Sequence, residues 1–291
     1  MALAACTSTA PGAGGEDGAS TLEQLQQDGS VTVAFNGEEP YSFEDGGDLT
    51  GATIALDREI FGALGVENVE GVQAEWNSLI PGLTAGRYDT VSAGMSILPE
   101  RCEQALFSEP EIMYTTAFMV PEGNPDNLTD MQSAQEAGVK LAVLSGAIES
   151  GYADKLDIEK IEVGDAQDGL DAVVSGRADA LALTGISLRT LEEKTDAAVE
   201  VTDAFVAEID GVPQIGAGAE VFPKGDEELR DAYNEELAKI VADEDRWMEI
   251  VGPFGFTEAE RPVEGLTTEK LCEGDLESVA KELAPELGLD G

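Results

Sequence analysis

Short apolar runs alternate with stretches of helical spacing from about residue 31 to residue 251. Val31–Phe35 has the β-branched, apolar character of a strand. Thr53–Leu64 places Ile54, Ile60, Phe61 and Leu64 at helical spacing. Gly71–Ala74 is short and extended, Ser78–Ala85 reads as a helix with Ser78 as its N-cap, and Thr90–Ala93 reads as a strand. This series predicts a mostly parallel sheet with helices on both faces. A second series follows the turn at Gly123-Asn124-Pro125. Lys140–Leu144, Lys160–Val163 and Ala180–Leu183 read as strands, and Val199–Thr202 as an extended segment. Ile148–Lys155, Gln167–Ser175 and Ser187–Lys194 read as helices. Two extended segments, Ala117–Val120 and Ile215–Val221, take the chain out of the first unit and back. Helices near Asp226–Val241 and Asp243–Val251 then rejoin it. The expectation is an α/β protein of two lobes on a two-strand hinge, with a ligand cleft between them. Residues 29–118 plus 219–256 form lobe 1, 119–218 form lobe 2, and 257–291 form a tail on lobe 1.

Composition narrows the function. Sixty acids face sixteen bases, for a net charge of −44, which repels nucleic acid and anionic membrane alike. The acids are spread along the chain, as on a solvated surface screened by counterions, so they carry no specific chemistry. There is no histidine. That removes Ser-His-Asp triads, Cys-His pairs and histidine metal sites. Carboxylates alone can do acid–base work, but among sixty no pair is specific. Asp45-Gly46-Gly47-Asp48 and Asp165-Ala166-Gln167-Asp168-Gly169 lack the ligand spacing of a calcium loop and read as turns.

Leu3-Ala4-Ala5-Cys6 has the form of a lipoprotein cleavage box, which predicts lipidation of Cys6. Met1 stands just ahead of it, where a basic and apolar leader is expected, so the reading predicts a start further upstream. Thr7–Ser20, rich in small residues, suits a tether, and residues 1–28 are assigned to box and tether together. Cys102 and Cys272 remain, an even pair that an exported protein would join as a disulfide; two free buried thiols are the alternative.

Several motifs occur in a recognisable order. They include Val31–Phe35 with Glu39-Pro40-Tyr41-Ser42-Phe43, Glu75-Trp76-Asn77-Ser78-Leu79-Ile80-Pro81-Gly82-Leu83 and Gly86-Arg87-Tyr88-Asp89. Gly94-Met95-Ser96-Ile97, Glu100-Arg101 and Phe107-Ser108-Glu109-Pro110 follow, then Ser145-Gly146-Ala147-Ile148-Glu149 and Gly176-Arg177-Ala178-Asp179-Ala180. In this order the chain resembles the family 3 extracellular solute-binding proteins, receptors of ABC importers for polar amino acids and opines. Within that family it is most similar to ectoine and hydroxyectoine receptors, on Glu38 ahead of Tyr41, Gly94-Met95 before Arg101-Cys102, Ala182-Leu183-Thr184, and Gly252-Pro253-Phe254-Gly255-Phe256-Thr257.

The resemblance implies the type II periplasmic-binding-protein fold. It also implies a monomeric, extracytoplasmic, lipid-anchored receptor that takes a small zwitterion, uses no cofactor or metal, and partners a membrane permease. It places the ligand carboxylate on Arg101, whose planar fork suits it. It puts Trp76 and Tyr41 against the ligand as aromatic faces, with Phe43 beside them, and Glu38 against a cationic group. Gly94 and Ser96 lie on the same strand end. Gly146 and Ile148 belong to a helix start whose free N–H groups favour an anion. Ser96 matches amino-acid receptors, where ectoine receptors carry an aromatic. Thr184 stands where amino-acid receptors carry an aspartate for the α-ammonium, and so points to a ligand without one. A polar amino-acid receptor is the alternative. An enzyme on this fold, a dehydratase or lyase, is disfavoured by the missing histidine and the intact arginine. A sensor domain is disfavoured by the lipidation box.

Overall fold

The computed structural model describes residues 20–288, so the Cys6 box lies outside the described residues. The chain is ordered earlier than the expected tether allows. Ser20 accepts from the Glu23 amide and Glu23 reaches back, a capping box that starts a helix at Thr21–Asp28. Leu25 on that helix is buried in the core, so residues 21–28 belong to the folded body.

Two sheets form the centres of the two lobes. The first runs in the order Asn68–Gln73, Ser30–Phe35, Thr90–Ser96, Gly216–Phe222, Leu106–Phe107, with Ile112–Tyr114 also pairing Gly216–Phe222. The second runs Lys160–Val163, Leu141–Leu144, Ala180–Thr184, Thr116–Pro121, Val199–Val201. In each sheet the first three strands are parallel. The rest are antiparallel, so both sheets are mixed where a mostly parallel one was expected. Parallel neighbours need a crossover connection, usually a helix. Thr116–Pro121 and Gly216–Phe222 arrive from the other lobe without one and pair the opposite way.

Helices Ala52–Ala63, Glu227–Ala242 and Glu244–Val251 cover one face of the first sheet. Their Ile54, Phe61, Tyr233 and Trp247 share one core with Phe222 and Phe256, which fixes the chain's return to lobe 1. The helix expected at Ser78–Ala85 is observed as Leu79–Thr84 behind a 3-10 turn, Trp76–Ser78. Ser78 has helical backbone angles there and its hydroxyl makes no cap bond. Asp165 does cap, accepting from the Asp168 amide at the start of Ala166–Val174, and Asp45–Asp48 turns a hairpin.

Cys102 and Cys272 are bonded, with Cα atoms 5.8 Å apart. The bond joins helix Thr268–Glu273 to helix Pro99–Cys102, which also carries Arg101. Thr268 strengthens the join, its amide donating to Glu109 and its hydroxyl to the Ser108 carbonyl. Helix Leu276–Glu282 packs on the short strand Val212–Pro213. No helix among the described residues is long and apolar enough to cross a membrane.

Candidate functional site

In an α/β sheet, the segments that follow the carboxyl ends of parallel strands gather at one edge. Here both sheets aim that edge at the same interlobe cleft. Glu38 and Tyr41 follow Ser30–Phe35, Trp76 follows Asn68–Gln73, and Gly94 and Ser96 end Thr90–Ser96. From lobe 2, Gly146, Ile148 and Glu149 follow Leu141–Leu144, and Thr184 ends Ala180–Thr184.

Tyr41 is buried, its ring edge-on to Tyr114 and Phe256. Gly94 makes room for it. Its φ is +54°, and a β-carbon there would lie 2.8 Å from the Tyr41 ring. The Tyr41 hydroxyl donates to Thr184 Oγ1 at 3.1 Å, Thr184 donates to Ser187 at 3.0 Å, and Ser187 donates to Glu38 at 2.7 Å. This relay crosses the cleft twice. Glu38 is half-buried, and loss of water raises its carboxyl above the ordinary carboxylate range, against the hydrogen bonds from Ser187 and Asn36.

Arg101 is 8% exposed. One guanidinium nitrogen donates to the Ser96 carbonyl at 3.0 Å and another to the Gly146 carbonyl at 2.8 Å. The group lies 5.5 Å from the centre of the Trp76 ring, a cation–π distance. Trp76 donates its indole N–H to the same Gly146 carbonyl at 3.2 Å. Gly146 has φ +80°, and a β-carbon would meet Asn77 Oδ1 at 2.2 Å, so lobe 2 touches lobe 1 with bare backbone here. Helix Ile148–Lys155 is capped at Ala147, whose amide donates to the Leu144 carbonyl, and Gly146 turns its carbonyl to lobe 1.

Between the lobes remains a space of about 30 Å³, walled by Glu38, Tyr41, Trp76, Gly94, Ser96, Ile148 and Thr184. Arg101 and Gly146 line a larger adjoining groove of about 810 Å³, which shares Trp76 and Ile148. The smaller space is far below the several hundred Å³ of an open ligand site, so entry of a solute requires the lobes to part.

Two residues of this cleft were not singled out in the sequence. Tyr114 donates to the Ser96 hydroxyl, and burial pushes its phenol above the ordinary range. Period-two alternation on Ile112–Tyr114 and the scarcity of aromatics were the available signals. Glu149, not its neighbour Ile148, is the helix residue fully inside, 1% exposed. Loss of water pushes its carboxyl up to about 8, opposed by its own backbone amide and reinforced by Glu38. It closes the Ser145–Glu149 motif, but among sixty acids nothing in the sequence marked its side chain as buried. The cleft therefore sets one guanidinium and two shielded carboxylates among aromatic rings. That pattern suits a compact molecule bearing both charges.

The chain is 34% identical over 262 residues to a probable amino-acid ABC transporter periplasmic-binding protein of Sinorhizobium fredii, covering 88% of this chain and 87% of that one. The crystal structure of EhuB in complex with hydroxyectoine is similar at TM-score 0.75 and 32% identity, covering 87% of this chain and 97% of that one. An ancestral arginine-binding protein bound to glutamine is similar at TM-score 0.68 and 25% identity, covering 78% and 97%. Residues 31–255 match the model of the bacterial extracellular solute-binding proteins, family 3, and the chain belongs to that family.

Proposed function

We propose that this protein is the solute-binding component of an ABC importer, acting outside the cytoplasmic membrane on a lipid carried by Cys6. Its solute is a compact zwitterion, ectoine or hydroxyectoine. The observation that carries this reading is the charge pattern of the cleft, Arg101 opposite the shielded carboxylates of Glu38 and Glu149. The solute carboxylate takes Arg101 from the Ser96 and Gly146 carbonyls, as a charge-assisted fork. Its delocalised cation lies between Trp76 and Tyr41, facing the two acids. Thr184 is neutral and occupied with Tyr41 and Ser187, so it offers no counter-ion to an α-ammonium. The likeness to EhuB supports the same reading. Binding parts the lobes, exchanges their direct hydrogen bonds for bonds to the solute, and closes them into the form a permease recognises.

An amino-acid ligand is the second reading, favoured by the Ser96 hydroxyl in the cleft wall and by the Sinorhizobium relative. Calorimetric titration of protein stripped by unfolding and refolding separates the two. Ectoine is expected to bind at micromolar Kd or tighter, with Arg101→Ala weakening it by on the order of a hundred-fold. Heat from arginine or glutamine but none from ectoines moves the assignment to the second reading. Silence toward both classes overturns the proposal.

A further inference from the structure

Away from the cleft, lobe 1 encloses three carboxylates. Asp57 lies on helix Ala52–Ala63, Glu111 just before strand Ile112–Tyr114, and Glu220 on strand Gly216–Phe222. They are 0%, 1% and 0% exposed. One oxygen from each lies within 4.8 Å of the others. No lysine or arginine among the described residues pairs with them. Arg58, next along the helix, bonds the Leu49 carbonyl instead.

Unpaired ionised carboxylates in an apolar core are too costly to persist, so this cluster must be neutralised by protons or by a cation. The orphaned oxygens indicate which. Both Glu220 oxygens and Asp57 Oδ2 lack a partner in hydrogen-bond geometry, and the hydroxyl beside the Glu220 carboxyl, that of Thr90, is aimed at it. Protons alone leave most of these acceptors unused, whereas a cation takes them as ligands. Tyr233 adds one more oxygen to the cluster. Its hydroxyl lies 2.9 Å from Asp57 and 2.6 Å from Glu111 but has one proton to give.

We propose that Asp57, Glu111 and Glu220 form a buried site for one divalent hard cation, calcium in preference to magnesium. The donors are all oxygen, which selects hard cations. Calcium accepts six to eight oxygens in loose geometry, while magnesium gives up its waters reluctantly and demands a stricter octahedron. The ion ties the helix after the first strand to the strand that returns from lobe 2. It therefore braces the hinge side of the lobe, independently of the ligand reading.

The test uses the full chain. Terbium, a luminescent calcium substitute, is added to chelator-treated protein with excitation of tryptophan. Trp247 is the antenna, since its indole N–H bonds the Glu111 carbonyl at 3.0 Å. Sensitised emission that saturates at one ion per chain, falls on adding calcium and drops in Trp247→Phe is expected. Calcium is also expected to raise the melting temperature of the wild type by about 5 °C or more beyond its effect on Glu220→Gln, at matched ionic strength. That difference removes diffuse binding to the acidic surface, which both proteins share. Absent terbium sensitisation overturns the proposal. So does an equal calcium response in Glu220→Gln, which would assign neutralisation to protons.

Discussion

Replacing Glu149 by glutamine removes a buried acid while keeping its shape. The folded protein holds the Glu149 proton to about pH 8, against an ordinary value of 4.5, first because burial strips its water. Between those values the unfolded chain has released the proton and the folded protein has kept it. Stability from this group therefore falls as pH rises from 4.5 to about 8, then levels off. At roughly 1.4 kcal/mol per pH unit, the loss is about 3 kcal/mol at pH 7 and about 5 above pH 8. Glutamine does not titrate and escapes it. At about 2–4 °C per kcal/mol, ligand-free Glu149→Gln should melt about 6–12 °C above wild type at pH 7, with the gap closing to about 2–3 °C at pH 5. Scanning fluorimetry from pH 5 to 8 reads this directly. Acids remote from the cleft titrate in both proteins and cancel in the difference, which leaves Glu149 and its coupling to Glu38. A second readout links the gain to function. A solute cation facing Glu149 should expel close to one proton at pH 7 in the wild type and none in the variant, seen by calorimetry in buffers of different ionisation enthalpy. A gap that stays constant with pH, or a variant less stable at pH 7, would refute the reasoning.

The disulfide and the cleft yield two more expectations. Cys102→Ser with Cys272→Ser should cost about 2–5 kcal/mol in chemical denaturation, because the bond closes a long loop. It should also weaken solute binding in titration, since Cys102 anchors the short helix that carries Arg101. Thr184→Asp should shift preference toward α-amino acids by on the order of ten-fold or more, by supplying an ion partner for the ammonium; a titration panel unchanged from wild type would remove Thr184 as a determinant.

What the sequence alone determined is whatever a few neighbouring residues decide. Helix Ile148–Lys155 and strand Lys160–Val163 run over the residues their periodicity predicted. The two-lobed architecture was legible because the crossing segments are short, apolar and bounded by strand–helix series. The cysteine pair was legible from parity, and the bond forms. Motifs also located the cleft, since strand ends gather at one sheet edge whatever the details.

Only the tertiary structure decided which atoms face that cleft. Gly146 presents its carbonyl because helix Ile148–Lys155 starts after Ala147 and lobe 1 brings Arg101 and Trp76 against it. Glu149 rather than Ile148 is fully enclosed because of how the helix's first turn is rotated toward lobe 1, a phase no local rule sets. Strand direction in the mixed sheets depends on which lobe a strand arrives from. Asp57, Glu111 and Glu220 lie far apart in sequence and resemble the other acids of a −44 chain until packing encloses them together. Periodicity reports a residue's neighbours along the chain, whereas charge burial and solute contact depend on neighbours that the sheet register and the hinge bring across space.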